Sequence, residues 1–539
     1  MTNDRPAGCD VDEPHGCDTD VAVIGYGPTG LVGALTLAAK GARVTAFERD
    51  RDIYARARAV TVNDWTMRIF QELGLDERIE KVIEPQRALR WVTYGGQEVM
   101  RVEHPPSTLG TRNTRPRFYN IYQPAMEAEL RRCGEELPGL DVRYGTEVTA
   151  VEQDAHGVTI TARDRESGAE TTTRARYAIA ADGGSSATRK TLGIPMLGDT
   201  VETLWIVIDC KVKRWWPDRD FLTFWTDRER PVVDIALSAG NHRWEIPLKA
   251  DETEADFATD EQVWPLLRAL GVTPEDVDIH QYAFYRHHVR AAETWRRGRV
   301  FLAGDACHLM PPWAGAGMQT GMRDAHNLGW KLARVVDGTL DERWLDTYEA
   351  ERRPSADFYT HLAVGLGRVI KQEATEEEVA AMNAVPANTV TPWEPPLTAP
   401  PVLAAGWLRG ERGDASAVGR MLPQPVCGDT VGRMARLDDL LPDGFVLLGA
   451  DLDPATLLTP GQKAQWDALG ARYLAVRPRT AHTRGPDELV DLEDTLLPWL
   501  ARYGARAVAV RPDKFVAAAD RTDLTVPDLT VPDLTVPAL

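Results

Sequence analysis

Apolar residues near the start of the chain form two short runs separated by a segment of helical composition. Residues 21–24 are uniformly apolar and end at a glycine, residues 31–40 are rich in Ala and Leu, and residues 44–47 form a second run. Strands that are buried on both faces of a parallel sheet read as continuous apolar runs. The order therefore predicts a strand–helix–strand unit over residues 21–47.

The same pattern returns twice. Residues 178–181 run into Asp182-Gly183, and residues 300–303 run into Gly304-Asp305. Residues 196–288, between these runs, are rich in aromatic and β-branched types, which favours a sheet-dominated second domain. Residues 318–336 carry small or apolar side chains at helical spacing, which predicts a helix with one buried face. The fold class is therefore predicted to be α/β, with a Rossmann-like domain interleaved with a sheet-rich domain.

Length and charge narrow the class of partner. A chain of 539 residues is too long for one ordinary core, and its 62 basic and 81 acidic residues leave a formal net charge of −19. Such a surface repels phosphate backbones and anionic lipid, so neither nucleic acid nor a membrane is expected as a partner. The six cysteines include no C-x-x-C pair, which argues against a metal site or a disulfide framework. With no signal-peptide pattern and no long apolar stretch, the prediction is a cytoplasmic protein.

The first chemical signal is the glycine fingerprint Gly25-Tyr26-Gly27-Pro28-Thr29-Gly30. In such a loop the first glycine permits a tight turn, the second lets the backbone approach a pyrophosphate, and the third lets helix pack on strand. Glu48 follows at the end of the second predicted strand, where a carboxylate can accept hydrogen bonds from a ribose diol. The motif predicts a dinucleotide site but does not by itself separate FAD from NAD.

Two further motifs follow in a fixed order. The first is Asp182-Gly183-Gly184-Ser185-Ser186 with Arg189, and the second is Gly304-Asp305 followed by Pro311-Pro312 and a glycine loop at residues 314–318. This order resembles the single-component flavoprotein aromatic hydroxylases, the family of p-hydroxybenzoate hydroxylase. Residues 314–332, Arg58-Ala59-Val60 and Arg243-Trp244-Glu245 are most similar to its 3-(3-hydroxyphenyl)propionate hydroxylase-like branch.

The resemblance implies FAD as cofactor, NAD(P)H as reductant, and a set of cofactor-binding residues. Glu48 is expected at the adenosine ribose, Arg58 and Gln123 near the ribityl and phosphate groups, and Asp305 at the ribityl or pyrophosphate. Asp182 is expected to lie beside FAD and beside the path by which the nicotinamide reaches it. Pro312 and residues 315–318 are expected to line the isoalloxazine. Ala316 stands where the family usually has Gln. The full expected set is Gly25, Gly27, Pro28, Thr29, Gly30, Glu48, Arg49, Arg58, Gln123, Val148, Asp182, Gly183, Gly304, Asp305, Pro312, Gly315, Ala316, Gly317 and Met318.

The resemblance also implies the reaction. NAD(P)H reduces the flavin, O2 forms a C4a-hydroperoxide on it, and a phenol-like aromatic small molecule is hydroxylated in a dry pocket. A hydrogen-bonding base should assist, and Tyr285, His287 and His288 are candidates, although such residues in an aromatic-rich strand more often serve packing. Trp313 and Trp225 are candidate pocket walls, with Trp225 more often a core residue in such a setting.

Three alternatives stay open at this point. Trp244-Glu245-Ile246-Pro247 matches half of the W-x-W-x-I-P signature of flavin halogenases, with His242 in place of the first Trp. Baeyer–Villiger oxidation or epoxidation would use the same scaffold. A non-catalytic FAD-binding protein that uses its terminal tail to bind a partner is the third.

Domain boundaries follow from composition and from the resemblance. Residues 1–18 are predicted to be a disordered lead, residues 19–195 and 289–383 a discontinuous FAD-binding domain, and residues 196–288 the substrate-binding domain. Residues 384–430 are predicted to be a linker, residues 431–522 a thioredoxin-like domain without a redox cysteine pair, and residues 523–539 a repeat tail. Assembly as a homo-oligomer is left open.

Overall fold

The computed structural model describes residues 17–103, 118–375, 377–378, 402–410, 412–482, 485–520 and 523–527. Nearly all of the predicted lead, the first part of the predicted linker and most of the predicted tail lie outside these residues. Within them, no helix combines the length and apolarity needed to cross a membrane.

The first layer is an eight-stranded sheet built on the predicted strand–helix–strand unit. Its central strands are parallel, because β1 pairs with both β2 and β11, and β11 pairs with β18. Numbered along the chain, its strands are β1 (Thr19–Ile24), β2 (Val44–Glu48), β8 (Leu140–Tyr144), β9 (Thr146–Gln153), β10 (Val158–Asp164), β11 (Glu170–Ala180), β17 (Arg296–Arg297) and β18 (Val300–Leu302). The ends of β1, β11 and β18 therefore meet at one edge, and all three sequence motifs begin there.

A second eight-stranded sheet carries the aromatic-rich segment. Its strands are β5 (Ala88–Thr93), β6 (Glu98–Glu103), β12 (Met196–Val212), β13 (Leu222–Thr226), β14 (Val232–Leu237), β15 (Asn241–Pro247), β16 (Val277–Ala292) and β19 (His308–Leu309). A small sheet joins the two layers through β3 (Thr61–Asn63), β4 (Ile83–Pro85) and β7 (Phe118–Ile121). The sheet-rich domain is confirmed, and it also includes β5 and β6, which the sequence places in the range of the other domain.

Helices cover the sheets and enclose the space between them. They are α1 (Pro28–Ala39), α2 (Asp64–Glu72), α3 (Asp76–Ile79), α4 (Gln123–Glu135), α5 (Ala187–Thr191), α6 (Asp260–Arg268), α7 (Gly317–Val336), α8 (Thr347–Ile370), α9 (Leu437–Leu440), α10 (Pro460–Ala468) and α11 (Leu496–Arg502). The predicted helix over residues 318–336 is α7, which is buried along nearly its whole length. It packs between α1 and α8, so its N-terminus is held at the edge where the motifs meet.

The C-terminal part forms a separate seven-stranded sheet with its own core. Its strands are β20 (Val426–Gly428), β21 (Met434–Arg436), β22 (Val446–Ala450), β23 (Arg472–Pro478), β24 (Glu488–Asp491), β25 (Ala507–Val510) and β26 (Val516–Ala519). The mixed pairing and flanking helices make this an α/β domain, as predicted. Its thioredoxin-like character and the exact domain boundaries stay predictions.

A buried ionic cluster joins this C-terminal domain to the rest. Arg511 donates to both carboxylate oxygens of Glu351 on α8 at 2.9 and 2.6 Å, and Lys331 on α7 donates to Glu351 at 2.7 Å. Asp513 accepts a second pair of hydrogen bonds from Arg511. The Arg511, Lys331 and Glu351 side chains are fully buried, so α7, α8 and the C-terminal domain form one packed unit.

Candidate functional site

A large cavity lies between the motif edge of the first sheet and one face of the second. Counted to its open mouth, and including space that is open to solvent, it has a volume of about 1610 Å³. One end is bordered by the glycine fingerprint and the loop before α7, and the other by apolar side chains of the second sheet and α8. The cavity therefore joins an end built from backbone loops to an end lined by apolar side chains.

The glycine fingerprint shapes one end of this cavity. Gly25 has a φ of +89°, and a Cβ on Gly30 would lie 1.9 Å from the Gly25 carbonyl oxygen. A Cβ on Gly27, in contrast, would meet nothing within 4 Å, and Gly27, Pro28 and Thr29 line the cavity. No side chain caps the N-terminus of α1 among the described residues, so its first N–H groups are free to bind an anion.

Glu48 ends β2 beside this helix N-terminus. Its carboxylate accepts hydrogen bonds from the backbone N–H of Tyr26 at 2.8 Å and of Asp50 at 3.0 Å. These bonds fix the carboxylate while leaving further lone pairs for a diol. Arg49, the next residue, points outward and its side chain is mostly exposed.

The third motif places a carboxylate opposite α1. Gly304 has a φ of +62°, and a Cβ there would lie 2.5 Å from the Thr29 hydroxyl, so only glycine fits this turn. The turn exposes Asp305 to the cavity, and its carboxylate has no hydrogen-bond partner among the described residues. An exposed acid next to two helix N-termini is suited to accept hydrogen bonds from a ligand's hydroxyl groups.

Asp182 has a different environment from the one expected. Its carboxylate accepts the Ser186 hydroxyl at 2.5 Å and the backbone N–H of Thr188 at 3.0 Å. The side chain thus stabilises the start of α5, while its neighbours Ala181 and Gly183 line the cavity. At this position it is the backbone that borders the candidate ligand space.

Gln123 shapes the cavity wall through the backbone of a neighbouring loop. Its buried side-chain oxygen accepts the backbone N–H of Arg58 at 2.9 Å and of Ala59 at 2.8 Å. Arg243 on β15 holds the same loop from the other side, by donating to the carbonyls of Ala57 and Arg58. The exposed Arg58 side chain lines the cavity. Among the described residues, no other lysine or arginine side chain does so.

The loop before α7 forms the boundary between the two ends of the cavity. Pro312 and residues 314–318 line it, and Gly315 has a φ of +58° with Thr61 packed where a Cβ would be. Ala316 takes the N-cap position of α7 without a side-chain cap, so the first N–H groups of a 20-residue helix face the cavity. The positive end of the helix dipole stabilises negative charge placed there, such as that of a reduced flavin.

The far end of the cavity is an apolar chamber. In β13, Leu222 and Phe224 face the cavity, since side chains alternate between the two faces of a strand. Trp91 stacks on Phe224 with ring centroids 5.0 Å apart. The remaining apolar lining comes from the second sheet, α8 and the loop before α7, namely Leu89, Val233, Leu362, Leu366, Met310 and Trp313.

Glu245 is the functional candidate that sequence reasoning did not single out for chemistry. It lines the chamber, is 5% exposed, and accepts the Tyr285 hydroxyl at 2.8 Å. Burial raises the pKa of Glu245. The alternation Arg243-Trp244-Glu245-Ile246 carried the signal, because a strand with charged residues on one face and apolar residues on the other must turn the charged face toward a cavity or water.

The structure places some of the other substrate-pocket candidates at the chamber and others away from it. Trp313 lines the chamber, and His287 packs against it with ring centroids 4.7 Å apart. Burial lowers the pKa of His287 to about 3, and neither ring nitrogen has a partner among the described residues. Tyr285 reaches the chamber through Glu245, whereas His288 on the opposite face of β16 bonds Thr200 at 2.9 Å.

Two expected residues lie away from the cavity. Trp225 is on the face of β13 opposite Phe224, where its indole N–H donates to Asp234 at 3.0 Å. Val148 lies in β9, paired with β10. The partial halogenase signature is also outside, since Trp244 and Ile246 are buried on the α6 side of the second sheet.

The residues present fit FAD. The open space at Gly27 and the uncapped start of α1 suit a pyrophosphate, and Glu48 suits a ribose diol. Asp305 suits the hydroxyls of a ribityl chain, and the start of α7 suits the polar edge of an isoalloxazine. One continuous cavity connects Gly27, the start of α1, Asp305 and the start of α7 to the apolar chamber, and Glu48 lies next to this cavity through its bond to Tyr26.

Comparison with known proteins agrees with this geometry. A family model described as FAD binding domain matches residues 18–362, and one described as HcaD C-terminal domain matches residues 419–528. A 3-(3-hydroxy-phenyl)propionate/3-hydroxycinnamic acid hydroxylase of Mycobacterium sp. (strain JLS) is 34% identical over 519 residues, covering 93% of this chain and 89% of the relative.

Solved structures share the fold over most of the chain. The flavin-dependent monooxygenase PieE, in complex with FAD and substrate, is 24% identical with a TM-score of 0.75, covering 93% of this chain and 96% of its own. The p-nitrophenol 4-monooxygenase PnpA from Pseudomonas putida DLL-E4 is 25% identical with a TM-score of 0.62, covering 67% of this chain and 91% of its own.

Proposed function

Because this chain belongs to the FAD-binding family that contains the 3-(3-hydroxyphenyl)propionate hydroxylases, and is an FAD-dependent aromatic monooxygenase, we propose that it hydroxylates a phenol with NAD(P)H and O2. The observation that carries the proposal is the single cavity that joins the flavin cradle to an apolar, aromatic-lined chamber. The relative is named for two phenols, which is the substrate class proposed here.

The chain's own residues hold the cofactor in this proposal. The start of α1 binds the pyrophosphate, Glu48 the ribose and Asp305 the ribityl chain, while Arg58 lies near the phosphates. The start of α7 stabilises negative charge at the flavin ring. When bound, FAD supplies the transfer of electrons from NAD(P)H and of oxygen to the substrate. The remaining expected residues of the glycine loops would border the cofactor through their backbone, whereas Arg49 and Val148 lie away from the cavity.

The chamber orients the ring of the substrate and excludes water. Its lining of Trp91, Phe224 and Trp313 matches the flat faces of an aromatic ring, and Leu362 and Leu366 on α8 close the opposite side. Exclusion of water favours transfer of oxygen to the ring over loss of the oxidant to solvent. Glu245 offers a polar contact for the phenolic hydroxyl within these apolar walls.

The halogenase alternative loses its support, since the matching residues lie outside the cavity. The aromatic-lined chamber that adjoins the flavin cradle favours an enzyme over the non-catalytic alternative. Cytoplasmic location and assembly as a homo-oligomer stay predictions.

The test is oxidation of NAD(P)H by the FAD-loaded protein, with and without a panel of phenols. The panel contains 3-(3-hydroxyphenyl)propionate, 3-hydroxycinnamate and neutral phenols, and peroxide is measured beside the hydroxylated product. The proposal expects slow oxidation alone and strong stimulation, with product, by at least one member. Stimulated oxidation by none of them, or a product that carries no added hydroxyl, would contradict it.

A further inference from the structure

We propose that Glu245 is the catalytic base that accepts the phenolic proton of the substrate, and that Tyr285 is the positioning residue that orients its carboxylate. This assignment rests on the proposed hydroxylation and adds a named proton acceptor to it. Glu245 is the carboxyl group in the apolar chamber, whereas Asp305, the other acid that lines the cavity, lies at the flavin end.

Glu245 lies inside the chamber, and one oxygen of its carboxylate can accept a hydrogen bond from a substrate. Glu245 is on β15, with its side chain on the cavity face of the sheet and 5% exposed. One oxygen, Oε2, accepts the Tyr285 hydroxyl at 2.8 Å. The other, Oε1, has its nearest charged partner, the Arg243 Nη1, at 3.7 Å, which is beyond hydrogen-bond distance. A substrate hydroxyl in the chamber would complete the coordination of Oε1.

An ion pair with the neighbouring Arg243 does not explain why the Glu245 carboxylate is buried here. Arg243 is paired with Asp209 through Nε at 2.7 Å and Nη2 at 2.9 Å, and it also donates to the carbonyls of Ala57 and Arg58. Gln281 donates to the same Asp209 at 3.1 Å. The charge and donors of Arg243 are therefore largely satisfied without Glu245. A buried acid that is not required by its nearest cation costs stability, which indicates that it serves chemistry.

The charged and titratable groups around Glu245 determine its strength as a base. Arg243 and the Tyr285 hydroxyl favour its carboxylate, Asp209 disfavours it, and burial outweighs them and raises the pKa of Glu245. Arg58 lines the cavity from the facing loop, and His287 lies beyond Tyr285 with ring centroids 5.0 Å apart. A raised pKa makes a carboxylate a stronger base for a phenol, since proton transfer is most efficient when the two pKa values are closer.

The proton balance is complete. The substrate O–H bond breaks, its electron pair stays on the ring oxygen, and the proton forms an O–H bond with Glu245. The electron-rich ring then accepts one oxygen atom derived from O2, as the O–O bond breaks, and becomes a neutral dienone. NAD(P)H supplies the two electrons, and the second oxygen atom leaves as water after taking up a proton from solvent. Loss of the proton from the oxygenated ring carbon to solvent restores aromaticity, and Glu245 returns its proton to the ring oxygen.

The decisive variant is Glu245→Gln, which keeps the size of the side chain and an oxygen that can accept from Tyr285. At saturating phenol we expect FAD binding to stay near wild type, while the product formed per NAD(P)H oxidised falls about 100-fold or more. Peroxide should account for the missing product. A phenol acidic enough to ionise in solution, such as a nitrophenol, should recover most of the product yield, because it needs no base.

Tyr285→Phe tests the positioning role independently. Product formation by the wild type should decline toward low pH as Glu245 becomes protonated, and Glu245→Gln should lack this limb. Loss of the Tyr285 hydrogen bond removes support for the carboxylate, so the limb should move to higher pH in Tyr285→Phe. Tyr282→Phe is the matched control, because the Tyr282 hydroxyl donates to the Ala258 carbonyl on the opposite face of the same strand.

These experiments distinguish a wrong assignment of Glu245 from a wrong proposed function. Wild-type product per NAD(P)H in Glu245→Gln, or an equal loss with ordinary and ionised phenols, would overturn the assignment. If Glu245→Gln does not fold, an unshifted acid limb in Tyr285→Phe overturns it instead. Failure of the wild type to hydroxylate any phenol would refute the proposed function and not Glu245 in particular.

Discussion

Three carboxylates around one cavity differ in role because their surroundings differ. Asp305 is exposed at a glycine turn and has no hydrogen-bond partner within the described part of the chain, Asp182 is bonded within its own loop, and Glu245 is buried in an apolar chamber. A free exposed carboxylate suits binding of ligand hydroxyls, a bonded one suits the shape of a loop, and a buried one suits proton transfer. Residue type alone does not separate these roles.

Replacing Asp305 by Ala should weaken FAD binding about ten- to a hundredfold. Loss of a hydrogen bond to a charged group costs about 1.5–3 kcal/mol, which corresponds to that range of affinity. Because the carboxylate has no partner among the described residues, the Tm of the FAD-free protein should change little. Fluorescence titration with FAD measures the effect, with Glu152→Gln on the exposed face of β9 as control. Unchanged affinity would show that Asp305 only completes a turn.

Gly27 and Gly30 should respond to alanine in opposite ways. A Cβ on Gly27 enters open space beside the cavity, so Gly27→Ala should fold normally and lose FAD affinity. A Cβ on Gly30 would overlap the Gly25 carbonyl, so Gly30→Ala should lower the free energy of unfolding by about 1–3 kcal/mol. Thermal unfolding without FAD, combined with FAD titration, separates the two. Wild-type FAD affinity in Gly27→Ala would contradict the placement of the pyrophosphate.

At the scale of elements, two helices that start without side-chain caps converge on one cavity. The N-termini of α1 and α7 both lie at the carboxyl edge of the first sheet, where parallel strands end. Packing behind α7 holds this arrangement: Ala316 belongs to a cluster with Trp65, Tyr359 and Phe515. Ala316 therefore contacts this cluster on one side and borders the cavity on the other.

The Phe515→Ala substitution should weaken the packing that supports the loop before α7 on the side away from the cavity. Phe515 is 3% exposed and meets Trp65 edge-on with centroids 5.7 Å apart. Removing a buried Phe side chain typically costs about 3–5 kcal/mol. We expect a lower Tm and also faster loss of FAD, because Ala316 would lose part of its support. Phe358→Ala, at an exposed position of α8, is the control. Wild-type FAD release in Phe515→Ala would exclude this support.

The sequence predicts the elements of the site better than the contacts between them. The glycine loops and Asp305 are local signals, because a turn and the start of a helix are encoded by adjacent residues. Glu245 and Tyr285 are 40 positions apart and meet only through strand pairing across β12, which one sequence does not reveal. Trp225 was indistinguishable from Phe224 in sequence, because the face of a strand depends on register.

At the scale of the whole molecule, the C-terminal domain packs against α8 and the loop before α7 and stabilises both. Its Arg511 reaches Glu351 on α8 inside a fully buried cluster, and its Phe515 supports the loop before α7. Breaking a buried ion pair is costly because the remaining charge stays desolvated. The C-terminal domain therefore supports the helices and the loop around the cavity, while none of its described residues lines the cavity.

Arg511→Met should lower the free energy of unfolding by about 3–5 kcal/mol, because Asp513 loses its paired arginine and Glu351 loses one of its two cationic partners, Arg511 and Lys331. Arg472→Met is the matched control, since its pair with Asp487 is more than half exposed, and it should change stability by less than about 1 kcal/mol. Thermal unfolding of the two variants measures the difference. Equal effects would show that the cluster is not what joins the domains.

The most direct test of the account is the origin of the oxygen atom in the product. FAD-loaded protein is mixed with NAD(P)H and the phenol that most stimulates its oxidation, under ¹⁸O2 in ordinary water, and the product is analysed by mass spectrometry. The account predicts one ¹⁸O atom in each hydroxylated product molecule and none in product made under ordinary O2 in H2¹⁸O. Product labelled from water, or consumption of NAD(P)H that yields only peroxide with every phenol bound, would contradict it.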